Sequence, residues 1–496
     1  MSTVDVLIAR NPATGVELGR VPTTPPGDVG AIVERARTAQ SRWAAAGANA
    51  RTAFLKRWWR SLARDADAWA DLIRDEIGKP RAEALGGDVI ASLDGIRWTA
   101  RYGRRALAGR ALTPGHQRFL QIPTAHVSYR PLGVVGVIGT WNYPLFLNAP
   151  VIAQALAAGN AVVWKPSELA ALSGRKLQES LESAGMPEGL VTAVQGGPEV
   201  GRALTGAAID KGVFTGGVEN GRRVLAALAA RGIPAVAELS GFDPAVVLPG
   251  APLDFTARSL VWGAFVGAGQ TCVSVKRVYV VGDATAWADA LAARARALRM
   301  GDPAGGDVDL GPLISEPARD RFHATVRAAV SAGAEVLSGG SPRPGPGWFY
   351  PPTVLSATTD LPERELAGVF GPVVVVRGVP DVEAAVAAAN ASHFGLSASV
   401  WSGDGKAARA VAGRLSAGMV MVNDVVAPTM HASAPFGGTK SSGFGRTHGP
   451  IGLHEFTQTQ TSYSRRAGSF RPHIFPYGSG SVEPFLRLYR RLFHGS

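Results

Sequence analysis

Apolar residues recur three and four positions apart through VERARTAQSRWAAAG and RTAFLKRWWRSLARDADAWADLI. That spacing predicts amphipathic helices over most of the stretch from about Asp28 to Ala108. The texture then changes. HVSYRPLGVVGVIGTWNYP is a strand pattern ending in turn residues, NAPVIAQALAAGN an apolar helix, and AVVWKPSE a short apolar strand broken by a proline. The alternation continues through GLVTAVQGG, GVFTGG and PAVAELSG. Short continuous apolar strands separated by helices predict a mostly parallel sheet with covering helices. The second half repeats the texture, with RVYVV and PVVVVRG as buried strands and DATAWADALAARARAL and EPARDRFHATVRAAVSAG as helices. A boundary between two α/β domains is expected near residue 240, and no internal repeat is visible.

Composition narrows the class. With 46% hydrophobic and 18% charged residues, the 496-residue chain reads as a globular protein, not a disordered one. A single cysteine excludes an intrachain disulfide and fits a reducing cytoplasm. MSTVDVLIARNPATG lacks the basic and apolar regions of a leader, and no run of about 18 apolar residues predicts a spanning helix. The net charge of +12 would suit nucleic acid or an anionic membrane. The arginines are dispersed, however, as in Arg101, Arg104, Arg105 and Arg110, and no nucleic-acid motif accompanies them. His431 and His448 lack metal-ligand spacing, so no metal is expected.

Candidate chemistry begins at Cys272, in GAGQTCVSV. Gly267 and Gly269 allow a tight turn before it, which can expose a thiol to substrate. A thiolate is a strong nucleophile once formed. Attack on a carbonyl also needs donors for the oxyanion and a base for later water attack. Asn142, in GTWNYP, supplies a neutral amide after a buried strand. Glu238, in AVAELSG, supplies a carboxylate at the end of another. Both belong at the carboxyl edge of parallel strands, where such sites form.

PLGVVGVIGTWNYP, VVWKPSE, FTGGVENG, ELSGFDP, GQTC, VFGPV and PFGGTKSSGFGR, in that order, resemble the aldehyde dehydrogenase superfamily over roughly residues 10 to 460. The resemblance implies an α/β fold with a Rossmann-type cofactor domain, an α/β catalytic domain and a small oligomerisation segment. The implied boundaries are 1–110 with 132–239 for cofactor binding, 240–433 for catalysis, 111–131 with 434–475 for bridging, and 476–496 for a tail. It implies a homodimer or homotetramer. It makes Cys272 the nucleophile, Asn142 and the Cys272 N–H the oxyanion donors, and Glu238 the base that hydrolyses the thioester. It assigns the cofactor to Ile138, Trp141, Lys165, Glu168, Gly197, Phe214, Thr215, Gly216, Gly217, Gly221, Leu239 and Phe370. Lys165 and Glu168 would meet the adenosine ribose, Gly197 and Pro198 the adenine, and Phe214 to Gly221 the phosphates at a helix start. A carboxylate at Glu168 would repel a 2′-phosphate, which favours NAD, with NADP as the alternative.

Three positions depart from the family pattern. Gly217 replaces a common Ser, and Phe242 replaces a common Lys. Gly368 replaces the Glu that grips the nicotinamide ribose, losing a charge-assisted hydrogen bond of about 1.5–3 kcal/mol. In the loop NDVVAPTMHASAP, Val425, Val426, Ala427 and Met430 suggest an apolar aldehyde, and no cation there would pair with a substrate carboxylate. Acyl transfer to coenzyme A is an alternative that Glu238 opposes. A weakly active homologue with a binding or membrane role is another. In the tail SVEPFLRLYRRLFHGS, Phe485, Leu488, Tyr489, Leu492 and Phe493 share one helical face and Arg487, Arg490 and Arg491 lie opposite. That pattern fits an anionic membrane surface, or docking on protein.

Overall fold

The structure, a computed structural model, describes residues 5–114, 123–359, 361, 366, 369–465, 467 and 482–493. The chain divides into two compact units, Met1–Ala106 with Pro131–Thr457, and Leu107–Arg130 with Gln458–Ser496.

In the first unit, helices Val29–Ala45, Gly47–Arg64, Ala66–Ile77 and Ala91–Ala106 occupy the stretch where apolar spacing predicted them. Each buries one stripe, such as Phe54, Leu55, Trp58 and Leu62 on the second. The longest expected helical run is split at Asp65, whose φ of −95° and ψ of 14° leave the helical region.

Strands Val191–Ala193, Ala161–Lys165, Val134–Ile138, Lys211–Thr215 and Ala235–Glu238 lie side by side in that order and run parallel. Gly443–Phe444 adds an antiparallel edge beside Ala235–Glu238. Strand order therefore reverses direction between Val134–Ile138 and Lys211–Thr215. Such a switch point opens a crevice at the carboxyl ends of the strands.

A second sheet has the order Glu335–Ser338, Thr353–Ser356, Val373–Val379, Val275–Val281, Asp243–Val247, Ser397–Trp401, Met419–Val422. Within it Glu335–Ser338 runs antiparallel to its neighbour and the other pairs are parallel. Its strands are near-continuous apolar runs because helices such as Leu253–Phe265 cover them. The segment Leu239–Phe242 carries the chain from the first sheet to the second, both of them within the first unit.

In the second unit, Thr457–Tyr463, Ala125–Pro131 and Arg110–Leu112 form a three-stranded sheet. Val482–Phe493 is a helix, as the tail's spacing predicted. The side chains of Phe485, Leu488, Tyr489, Leu492 and Phe493, expected to form its apolar face, lie outside the described residues. Among the described residues no helix is long and apolar enough to cross a membrane.

Candidate active site

Cys272 stands on a loop that few sequences could make. After helix Leu253–Phe265 the chain takes three left-handed residues in succession, Gly267 (φ +64°), Ala268 (φ +55°) and Gly269 (φ +67°). Glycine adopts this at little cost, whereas Ala268 carries strain. Side chains hold the turn. The Glu83 carboxylate accepts the Gly267 N–H at 2.9 Å. The Gln270 amide donates to the Gly267 carbonyl at 3.1 Å and accepts the Ile314 N–H at 2.9 Å. A Cβ at Gly241 would collide with the Cys272 carbonyl, which explains the glycine of ELSG. The half-buried thiol opens onto a cavity of about 510 Å³. Burial pushes it up to about 12, the Asp243 and Glu238 carboxylates add to this, and the N–H groups of Val273 and Cys272 partly offset it.

Asn142 and Glu238 line the same cavity. The Asn142 Nδ2 donates to the Gln270 carbonyl at 2.9 Å, and its Oδ1 accepts the Thr140 hydroxyl at 2.9 Å. The amide is thereby oriented with one of its two N–H hydrogens left over. Glu238 ends strand Ala235–Glu238, opposite Gly443. Both of its carboxylate oxygens are buried without a partner. Burial holds its carboxyl well above the usual carboxylate range. Arg446 pulls against that and Glu455 adds to it.

The segment carrying Asn142 is tied down from behind by groups that the motifs do not contain. Asp88 accepts the N–H groups of Leu145 at 3.3 Å and Phe146 at 3.1 Å. It also pairs with Lys79 at 2.6 Å. The Lys79 ammonium sits 3.3 Å from the centre of the Tyr143 ring, and the Tyr143 hydroxyl meets Thr271 Oγ1 at 2.9 Å. The two segments bearing Asn142 and Cys272 are thus joined twice, once at Gln270 and once at Thr271.

Of the residues expected at the cofactor, Trp141, Thr215, Gly216, Gly217, Leu239 and Phe370 line the cavity. Trp141 and Phe370 meet edge to face at 5.6 Å. Ile138 and Phe214 pack beneath with Leu239. Lys165, Glu168, Gly197 and Gly221 are not part of the cavity wall. Lys165 is buried and holds Glu168 at 3.0 Å, leaving the Glu168 carboxylate partly exposed. Gly197 starts helix Pro198–Gly206. A Cβ at Gly221 would meet Leu239 Cδ2 at 2.5 Å, so this glycine serves close packing of helix on sheet. Helix Val218–Ala229 begins at Gly217 with no side-chain cap, and a Cβ there would meet nothing within 4 Å. Uncapped N–H groups over open space fit a pyrophosphate. Gly368 lies outside the described residues.

The loop expected to line the aldehyde tunnel behaves differently. Val425 and Val426 are buried in the core of the second sheet, with Val425 packed on the bare face of Gly263. Phe436 is that region's contribution to the cavity wall. Helix Glu316–Ser331 and its cap contribute Ser315, Ala318, Arg321, Phe322 and Thr325. The three-, four- and seven-residue spacing of Ala318, Arg321, Phe322 and Thr325 is legible in EPARDRFHATVRAAVSAG. It was missed because that stretch carries no motif. Arg321 is the sole cation and Glu238 the sole carboxylate among the described wall residues.

A dinucleotide crevice opening beside a cysteine loop defines the class, a nicotinamide-dependent oxidoreductase. The sequence profile of the aldehyde dehydrogenase family matches residues 2–462, and the chain belongs to that family. A Mycolicibacterium smegmatis protein provisionally named succinate-semialdehyde dehydrogenase (NADP(+)) is 35% identical over 97% of this chain and 93% of its own. A betaine aldehyde dehydrogenase of Cereibacter sphaeroides is 37% identical over 91% and 92%. The solved Mycobacterium tuberculosis aldehyde dehydrogenase complexed with NAD+ superposes with a TM-score of 0.90 at 31% identity, covering 95% of this chain and 96% of that one.

Proposed function

We propose that this aldehyde dehydrogenase converts an apolar aliphatic or aromatic aldehyde to the carboxylic acid through a thioester on Cys272. The carrying observation is the meeting, in one cavity, of the Cys272 thiol, the oriented Asn142 amide and the unpartnered Glu238 carboxyl. The thiol releases its proton to solvent water and its sulfur adds to the aldehyde carbon, forming the C–S bond as the C=O π bond opens and its electrons move to oxygen. The spare Asn142 N–H and the Cys272 N–H stabilise the alkoxide. NAD(P), when bound, supplies the acceptor for the hydride lost as the carbonyl re-forms. Glu238 then takes a proton from water, whose oxygen adds to the thioester, and the C–S bond breaks to release acid and thiolate. Glu238 in the cavity favours this hydrolysis over acyl transfer to coenzyme A.

Leu147, Ile314, Phe322, Val369, Leu396 and Phe436 give the cavity its apolar walls and support an uncharged substrate tail. Arg321 favours a second reading, an aldehyde bearing a carboxylate, which is also the substrate type in the Mycolicibacterium relative's name. Initial rates of NADH formation with hexanal, benzaldehyde, succinate semialdehyde and betaine aldehyde decide between them. Highest kcat/KM for hexanal or benzaldehyde supports the first. Highest kcat/KM for succinate semialdehyde, lost in Arg321→Ala, replaces it with the second.

The exposed Glu168 carboxylate supports NAD over NADP. The lone thiol supports a cytoplasmic setting, and the arginines of Val482–Phe493 support peripheral contact with an anionic membrane. The family likeness supports a homodimer or homotetramer.

A further inference from the structure

Strand Val275–Val281 places Lys276 between Val275 and Arg277 in an otherwise mostly valine strand. Lys276 is 2% exposed, and its ammonium donates to the Gly269 carbonyl at 3.0 Å and the Gly371 carbonyl at 2.7 Å. Burying an ammonium opposes folding unless hydrogen bonds and charge offset it. An apolar side chain would suit a strand interior better. The two carbonyls belong to two functional loops. Gly269 lies in the left-handed turn before Cys272, and Gly371 follows Phe370. The loops also interlock, since a Cβ at Gly269 would collide with the Gly371 carbonyl. Phe370 packs on Trp141, which precedes Asn142. Burial pushes the Lys276 amine down to about 7, and Asp243, on the adjacent strand in register with Val275, is the carboxylate that opposes this.

We propose that Lys276 is a positioning residue, a clasp that fixes the thiol loop against the Phe370 loop and so sets the gap that receives the nicotinamide end of the cofactor. This rests on the roles given above to Cys272 and Phe370. A clasp of this kind acts first on cofactor placement, since the aldehyde pocket takes only Val369 of its apolar wall from the Phe370 loop and the rest from other elements. Misplacement of reacting groups by about 1 Å can cost about a hundredfold in rate.

The test uses the full chain with Lys276→Met, which removes both donations, and Lys276→Gln, which keeps an amide with two hydrogens. Three quantities are read. They are the Kd for NAD by calorimetry, the rate of Cys272 alkylation by iodoacetamide with and without saturating NAD, and single-turnover NADH formation. For Lys276→Met the expected result is NAD binding weakened about fivefold or more and single-turnover formation slowed about tenfold to a hundredfold. NAD should no longer alter the alkylation rate, and the KM for aldehyde should stay within about twofold of wild type. Lys276→Gln should fall between. Wild-type NAD binding and single-turnover rates in Lys276→Met overturn the proposal. So does a loss in both variants that extends equally to the KM for aldehyde. If Lys276→Met does not fold, a cofactor-specific loss in Lys276→Gln upholds the clasp and wild-type values overturn it. A wild-type protein that forms no NADH from any aldehyde fails the functional reading instead, and NAD binding and alkylation still judge the clasp.

Discussion

Glu238 is a carboxyl with no hydrogen-bond partner at the end of a strand, and burial holds it well above the usual carboxylate range. As the hydrolytic base it must be ionised, so turnover should rise with pH through its raised pKa. Glu238→Gln should retain a first-turnover burst of NADH and lose steady-state rate by about 10²–10⁴. Rapid-quench kinetics check this, and an unchanged steady state contradicts it. The same group carries a stability signature. Its folded pKa is raised, so its contribution is fully present below the unfolded value and is lost as pH rises through the folded one. Wild type and Glu238→Gln should therefore melt alike near pH 4, and the variant should melt higher near pH 9. A Tm difference independent of pH would remove this account. Glu168 makes a different prediction, because its carboxylate is partly exposed beside Lys165. Glu168→Gln removes a charge that would repel a 2′-phosphate and should raise kcat/KM for NADP about tenfold, equivalent to about 1.4 kcal/mol. Equal NADP use before and after substitution would assign cofactor choice to other groups.

At the scale of elements, the thiol loop depends on glycine for two separable reasons. Gly269 has a left-handed backbone, and the space where its Cβ would sit is taken by the Gly371 carbonyl. Gly269→Ala should cost about 1–3 kcal/mol from backbone strain alone. Thermal melts should show it well below Gly217→Ala, whose site has φ −70° and open space. Equal melts for the two would mean that the loop relaxes freely. These glycines, the alternating strands and helices, and the strand-end placement of Asn142 and Glu238 were legible in the sequence. Buried parallel strands are continuous apolar runs, and turns concentrate glycine. Other features were not legible, each for a physical reason. Lys276 sits inside VSVKRVYVV beside Arg277, and nothing in that order of residues announces which side chain reaches distant loop carbonyls. Asp88 reaches the Asn142 segment from a π-helical turn, Ala84–Ile90, that local periodicity does not announce, and Lys79 reaches it through Asp88 and the Tyr143 ring. Val425 and Val426 read as a tunnel wall by apolarity alone, yet apolarity equally suits the core that they fill beside Gly263.

At the scale of the whole molecule, the net charge of +12 finds one concentrated expression in the tail. Helix Val482–Phe493 carries Arg487, Arg490 and Arg491, all exposed, against one acidic residue, Glu483. Each arginine near an anionic lipid surface contributes about 1 kcal/mol. Three arginines less one glutamate give about 2 kcal/mol, between one and two decades in binding. That is enough to enrich the enzyme at a membrane only if apolar contact from the same helix adds to it. Removing residues 480–496 should therefore abolish co-sedimentation with phosphatidylserine-containing vesicles and leave NADH formation from soluble aldehydes unchanged. For the full chain, binding should weaken as salt rises, because exposed charges are screened over about 10 Å at 0.1 M. Vesicles of phosphatidylcholine alone should retain little of it. Full retention of vesicle binding by the truncated chain would end the membrane proposal. A shift in oligomeric state on truncation, read by light scattering without any change in vesicle binding, would assign the helix to contact between copies of the chain.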